Sequence, residues 1–277
     1  YPLARNVALE ASAPYLTAYT NVLTSPNNIL AIEYCKSLLS RDSGIVPCTV
    51  KRTGASYHDN SLETSFCSAR AIRDSLRQPE VSDTVANQIP APVQKLAEGD
   101  YLKTYPIFED DFSLLIQYSL LRKEVSGFTD YPDIDRELSD RILRLLPGYR
   151  DFRSFCDQLK SKNRTYVRIS RSLFHILLDI RQDALSSYIQ EGEIFYARML
   201  GFRESASALL SAIKKNSSVP LLSKLADAEK QLAPTGLSML EKDVYASHIY
   251  QSVVRHKFPG GDPSSEINEY KKPIIKV

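Results

Sequence analysis

The sequence is short of several things that would announce a function. Its four cysteines, Cys35, Cys48, Cys67 and Cys156, show no C-x-x-C spacing, so neither a zinc-finger framework nor a disulfide scaffold is predicted and a reducing cytoplasm fits best. No apolar run approaches the ~18 residues of a membrane helix, and the first residues lack the basic-then-apolar pattern of a signal peptide. No G-x-G-x-x-G stretch is present. The net charge is only +2, so a polyanion would have to be met by a local basic face rather than by the whole molecule.

What is present is the composition of a globular protein: 43% hydrophobic and 25% charged residues over 277 positions, enough for one large domain or two ordinary ones. The chain opens on Tyr1 in helix-like sequence over residues 2 to 20, as part of a longer protein would. "SPNNILAIEYCKSLL" follows. Ser25 suits an N-cap and Pro26 the first helical position, predicting a helix from Pro26 to about Arg41. Asn27 and Asn28 are poor helix formers placed in its first turn, where backbone N–H groups and the positive end of the dipole can meet an anion. "IVPCTVKR" reads as a strand over 45–52 leading into the polar turn "TGASYHDN", and "SFCSARAIRDSL" as a loop entering a helix near Ser68.

Helix, strand, polar loop and helix is α/β organisation, with the loop where such sheets hold ligands. Prolines 79, 90 and 92 then mark a boundary or long connection, so residues 1–85 are assigned to an α/β domain and 86–277 to an α-helical one. Helical patterns follow at 108–123, 134–146, 149–162, 165–184, 203–216 and 240–255, and "NEYKKPIIKV" suits a short terminal strand.

Three stretches could hold a nucleotide. Arg52 sits just past the expected strand beside Lys51 and Gly54, and its guanidinium fork matches phosphate oxygens; a solvated basic loop explains the same residues. His58 and Asp59 are adjacent, which suits a surface or structural histidine as well as a catalytic one. Ser68 could cap a helix from which Arg70 and Arg73 project toward one phosphate, although a plain capped helix accounts for the serine too. Farther on, Arg164, Arg168 and Arg171 recur at i, i+4, i+7, opposite Ile169, Leu173, Ile176, Leu177 and Ile180. With no acidic residue at i+4 to neutralise Arg164 or Arg168, this reads either as a solvated face or as a positive stripe tracking an RNA backbone. His175 falls on the apolar side.

As a set, "SPNNILAIEYCKSL", "VKRTGASYHD", "SFCSARAIRDSL", "RISRSLFHILL", "YARMLGF" and "KKNSSVPLL" resemble the bacterial tRNA(Met) cytidine acetate ligase family from near Tyr1 to Val277. The resemblance implies the distal part of a Rossmann-like nucleotidyltransferase domain followed by a helical tRNA-binding domain. It implies ATP as substrate, with Mg2+, and activation of acetate to acetyl-adenylate. The acetyl group then passes to N4 of the wobble cytidine of elongator tRNA(Met). On this resemblance Asn27 or Asn28 contacts the nucleotide, with Asn27 favoured; Arg52 and neighbouring Thr53 line the same pocket; and Ser68 and Arg73 match the motif that holds the triphosphate. Arg70 stands where that motif has a small hydroxyl residue, and Cys67 where it has alanine.

The family's H-x-G-H motif is missing. The four histidines are His58, His175, His248 and His256, and no two have that spacing. The chain is therefore expected to lack the opening part of the nucleotide-binding domain and to be inactive alone, and no residue is assigned as general base. Two other classes fit parts of the pattern: an RNA-binding module without catalysis, and a small-molecule adenylyltransferase, which would not need the basic helical part.

Overall fold

The computed structural model describes residues 26–50, 66–78, 85, 87–192, 194–260 and 268–277. The chain divides into two compact units, Tyr1–Gly99 and Asp100–Val277; the boundary expected after residue 85 falls ahead of that division.

In the first unit α1 (Pro26–Ser40) follows the predicted helix closely. It ends in a Schellman arrangement: Ser43 N–H donates to Leu38 O at 3.0 Å, Asp42 N–H to Leu39 O at 3.2 Å, and Asp42 takes a positive φ of 47°. Asp tolerates that left-handed conformation better than most residues with a Cβ. Residues 45–50, expected to be the body of a strand, carry no strand pairing, and Ile45, Val46 and Val50 are exposed; β-branched composition alone does not supply a partner edge. α2 (Ala69–Ser75) begins at the expected place, with Ser68 Oγ accepting from Ala71 N–H at 3.0 Å. Cys67 N–H donates to Gln88 Oε1 at 2.9 Å, fixing the entry to this helix. α3 (Ala91–Asp100) is a helix where the prolines had suggested a connection; Pro92 sits in its first turn, where a missing N–H costs nothing.

The second unit is built on amphipathic helices: α4 (Ser113–Lys123), α5 (Arg136–Leu145), α6 (Phe152–Leu159) and α7 (Tyr166–Leu177). Their buried positions recur at helical spacing: Ile116 and Leu120; Leu138 and Ile142; Phe152, Phe155, Cys156 and Leu159; Ile169, Leu173, Ile176 and Leu177. These stripes meet in one core with Phe112, Phe128 and Tyr131. Phe174 stacks edge-on to Phe112 at 5.3 Å and tilts against Phe152 at 5.4 Å between ring centroids. Side-chain caps fix three of the helix starts, Asp135 to Leu138 N–H at 2.8 Å, Asp151 to Ser154 N–H at 2.7 Å and Thr165 to Arg168 N–H at 3.3 Å. Burial pushes the Cys156 thiol up to about 12, which makes it a packing group rather than a nucleophile.

The helix expected over 165–184 is broken. α7 stops at Leu177, Asp179 adopts φ 51°, and Ile180 N–H donates back to His175 O at 2.9 Å before α8 (Gln182–Glu191) begins. The same Schellman geometry that ends α1 operates here, again with Asp in the position usually given to Gly.

Beyond α8 the expected all-helical character is modified by two minimal parallel sheets. β1 (Ala197–Arg198) pairs with β3 (Leu221–Leu222), and β2 (Gly201–Phe202) with β4 (Ile275–Lys276), the expected terminal strand. α9 (Ser207–Asn216) connects β2 to β3. Gly201 is required by this pairing, because a Cβ there would come within 2.8 Å of Ile275 O. α10 (Pro234–Lys257) is longer than expected. Its Gly236 allows close approach of Phe195, whose Cβ would lie 2.9 Å from an added methyl group. Leu240 and Val244 of α10 join Leu222, Leu225 and Ala228 in a second, smaller core, while Val253 reaches the first. Lys257 at the end of α10 donates to Asp111 at 2.7 Å, just ahead of α4. No described helix is long and apolar enough to cross a membrane.

Phe155 is fully buried among α6, α7 and Tyr149, whose ring lies 4.9 Å away. Truncation there leaves a cavity that the surrounding helices close only in part. Phe155→Ala is expected to cost about 3–5 kcal/mol, read as a lower urea midpoint with unchanged slope; a loss below about 1 kcal/mol would contradict the packing described.

Candidate functional site

Of the residues expected to hold a nucleotide, Arg52 and Thr53 lie outside the described residues, as do Ser25, His58 and Asp59. Asn27 and Asn28 occupy the first turn of α1 and are exposed, in the part of a helix where N–H groups have no carbonyl one turn back. Ser68 is buried and is engaged as the N-cap of α2, so its Oγ lone pair is turned to Ala71 N–H. Arg73 lies in the last turn of α2 and is exposed. Arg70, the departure from the family pattern, pairs with Asp74 at 3.6 Å along the helix surface.

The arginine stripe is not what its periodicity suggested. Arg164 precedes α7 and is 8% exposed. Its Nη2 donates to Asp135 Oδ2 at 2.7 Å and to Glu137 Oε2 at 2.8 Å. Hydrogen bonding to Arg164 holds the Asp135 carboxyl below its usual range, helped by Leu138 N–H, and does the same for Glu137. Arg171 donates to Asp133 at 2.7 Å, and Arg168 Nε lies 3.6 Å from the same carboxylate. Three guanidiniums thus face three carboxylates, and the stripe is neutralised. The partners Asp133 and Asp135 come from the segment before α5 and Glu137 from its first turn, far outside i, i+4 spacing. Arg164 is held by both carboxylates, whereas Arg168 and Arg171 keep partly exposed side chains. His175 is half-buried with Nδ1 3.4 Å from Pro132 O, consistent with the apolar side assigned to it.

Sequence reasoning missed a cleft of about 420 Å³ formed by α4, the end of α7 and α10. Tyr118 and Arg122 of α4 face Lys242 and Tyr245 of α10, with Ile176 and Leu177 among the apolar lining. One wall is a charged junction at Asp179. Its carboxylate accepts from Lys123 and from Tyr131 OH, the latter at 2.8 Å, while Arg181 lies 3.5 Å away and Lys242 donates to the Asp179 backbone carbonyl at 3.0 Å. Burial alone would raise the Asp179 carboxyl; hydrogen bonds from Lys123 and Tyr131 and the charges of Lys123 and Arg181 outweigh it and hold it at about 2. The i, i+4 pair Tyr118/Arg122 was legible in the sequence, but nothing local placed α10 opposite it.

Over residues 1–261 the sequence matches the HIGH Nucleotidyl Transferase family. The chain belongs to that family. Among relatives, it is 31% identical over 253 residues to the tRNA(Met) cytidine acetate ligase of Clostridium novyi, covering 91% of this chain and 61% of that protein. It is 31% identical over 287 residues to the enzyme of the same name from Halothermothrix orenii, covering 100% and 67%. The chain therefore spans about 61–67% of the length of these relatives. Its fold is that of Thermotoga maritima TmcAL, with a TM-score of 0.82 at 23% identity, covering 92% of this chain and 61% of that one. The same protein bound with alpha-thio ATP gives 0.78 at 22% identity, covering 92% and 60%. Nucleotidyl transferase membership fits the α/β character expected of the first unit.

The Asp179 junction makes a pH-dependent contribution to stability. Its carboxyl lies at about 2 in the fold against an ordinary 3.8, so between those values the unfolded chain binds more protons and stability rises with pH. The contribution is complete above about pH 4 and is lost as pH falls through about 2. Asp179→Asn keeps a residue tolerant of positive φ but removes the charge. The stability difference between wild type and variant, from urea midpoints between pH 5 and 2, should be largest at pH 5 and shrink toward pH 2. A gap constant across that range would refute the assignment.

Proposed function

We propose that this chain supplies the distal part of the ATP site and the RNA-handling part of a tRNA(Met) cytidine acetate ligase. The observation that carries the reading is similarity running through essentially the whole chain, at 31% identity, to ligases of that name. The chemistry has two displacements. An acetate oxygen attacks the α-phosphorus of ATP, forming acetyl-adenylate as pyrophosphate leaves. The wobble cytidine N4 of elongator tRNA(Met) then attacks the acetyl carbonyl carbon, AMP departs, and N4 loses a proton.

In this reading Asn27, with Asn28 beside it, meets the nucleotide at the start of α1, where oriented N–H groups favour an anion. Arg52, Thr53 and Arg73 supply donors and charge to the phosphates, and Ser68 orders the turn that begins α2. Fixed cations of this kind stabilise the charge that builds on the phosphoryl oxygens without reorganising during the reaction. Magnesium would arrive with the triphosphate, since it binds mainly to phosphate oxygens and water rather than to a protein cage; no three-membered His, Cys, Asp or Glu cluster exists among the described residues. Within the neutralised stripe, Arg168 and Arg171 rather than Arg164 keep side chains exposed enough to touch RNA. Such an enzyme works where tRNA is found, in the cytoplasm.

The test is labelling of elongator tRNA(Met) with radioactive acetate in the presence of ATP, comparing this 277-residue chain with the protein encoded by its whole reading frame. Because no H-x-G-H occurs among its four histidines, the chain alone is expected to give negligible labelling and the whole protein full labelling. Labelling by neither, with tRNA binding retained, would replace the ligase reading with an RNA-binding module.

A further inference from the structure

The cleft between α4, the end of α7 and α10 has a composition that neither the arginine stripe nor the nucleotide residues explain. Its lining combines three cations, Arg122, Lys123 and Lys242, with a single carboxylate, Asp179. Lys123 is committed to Asp179 and Tyr131. Arg122 has no ion-pair partner among the described residues and lies 5.8 Å above the Tyr118 ring. Among the described residues Lys242 makes one hydrogen bond, to a backbone carbonyl. Two positive charges are therefore left over at the mouth, in contrast to the neutral stripe on α7.

The remaining lining is apolar or aromatic. Ile176 and Leu177 are buried beneath, whereas Tyr118 is 59% and Tyr245 42% exposed. Exposed tyrosines on two different helices, over an apolar floor and beside uncompensated cations, suit a ligand with one flat face and one anionic group. The volume of about 420 Å³ is in the range of small-molecule sites and has room for one base with its ribose and phosphate. A longer acidic peptide would have no use for paired aromatic rings, and a free inorganic anion no use for the apolar floor.

We propose that this cleft takes one unstacked nucleotide of the tRNA substrate, its base against Tyr118 and its phosphate toward Arg122 and Lys242. The proposal rests on the ligase reading above for the identity of the RNA. It gives the second unit a contact that grips an unpaired nucleotide by its face. Stacking of this kind is tolerant of sequence, so the site anchors a splayed loop rather than reading its bases. The same chemistry could be offered by a free mononucleotide.

The test measures binding of elongator tRNA(Met) and of cytidine 5′-monophosphate to the full-length protein and its variants, across a salt series. Tyr118→Ala should weaken tRNA binding about tenfold or more, with Tyr118→Phe restoring it to within about twofold. Lys242→Gln should weaken binding and lower the salt slope by about 1, the signature of one lost phosphate contact. Tyr270→Ala, which removes another exposed tyrosine outside the cleft, should change neither. Unchanged urea midpoints for Tyr118→Ala and Tyr118→Phe would exclude unfolding as the cause. If wild type binds tRNA and Tyr118→Ala binds it equally well, the cleft assignment is overturned while the ligase reading stands. Wild type that binds no tRNA overturns both. Tyr118-dependent binding of the mononucleotide, with tRNA affinity indifferent to Tyr118, makes the cleft a small-ligand site and overturns the RNA assignment.

Discussion

Asp179 is the residue on which the arrangement of the second unit turns. Its backbone adopts a conformation that most side chains avoid, and this stops α7 where continued apolar periodicity would have carried it on. The same residue then uses its carboxylate to gather Lys123 from α4 and Tyr131 from the segment before α5, and its carbonyl to gather Lys242 from α10. Backbone reversal and ion pairing are therefore one event. The charges are only partly shielded from water, so the junction gives little net stability for its Coulomb energy. Its importance is geometric: it fixes which helices face one another, and thereby creates the cleft.

Electrostatics in this unit are settled by contacts distant in sequence. Asp133, Asp135 and Glu137 lie about thirty residues before the arginines they neutralise, brought there because α5 and α7 pack on the same core. Asp135 has two duties, capping α5 through Leu138 N–H and receiving Arg164. A cap that also anchors a guanidinium ties the start of one helix to the start of another. This explains why Arg164 is buried although arginine is seldom found inside: both carboxylates hold it in hydrogen bonds that replace water.

Much of the helical architecture was legible because its signals are local. Asp135, Asp151, Thr165 and Ser68 cap as their types suggest, and the stripes of α4 to α7 carry their apolar residues at 3.6-residue spacing. What escaped needed non-local information or an uncommon residue in a familiar role. Asp replaces Gly at two helix ends, so the stop after Leu177 had no glycine to announce it. Residues 45–50 had strand composition without a strand partner among the described residues. The two-residue strands β1 to β3 are too short for alternation to register and depend on parallel neighbours from more than twenty residues away, whereas the terminal strand β4 was expected. Among site residues, the positions of Asn27, Asn28 and Ser68 at helix starts were readable, whereas the compensation of the arginine stripe and the pairing of α4 with α10 were not.

A positive stripe and a positive cleft would act on RNA in different ways. A solvated row of arginines attracts any phosphate backbone and loses most of its grip as salt rises, because its gain is counterion release. A cleft with two uncompensated charges releases few counterions and draws the rest of its affinity from base stacking on tyrosine, which salt affects weakly. An enzyme acting on one position of one tRNA gains little from uniform attraction, since every tRNA presents the same phosphates. It gains more from a surface that requires a loop with an unstacked nucleotide. On the proposed reading, neutralising the arginines at α7 internally, while leaving Arg122 and Lys242 without an ion-pair partner among the described residues beside exposed tyrosines, shifts the balance from attraction along a backbone to capture at one point.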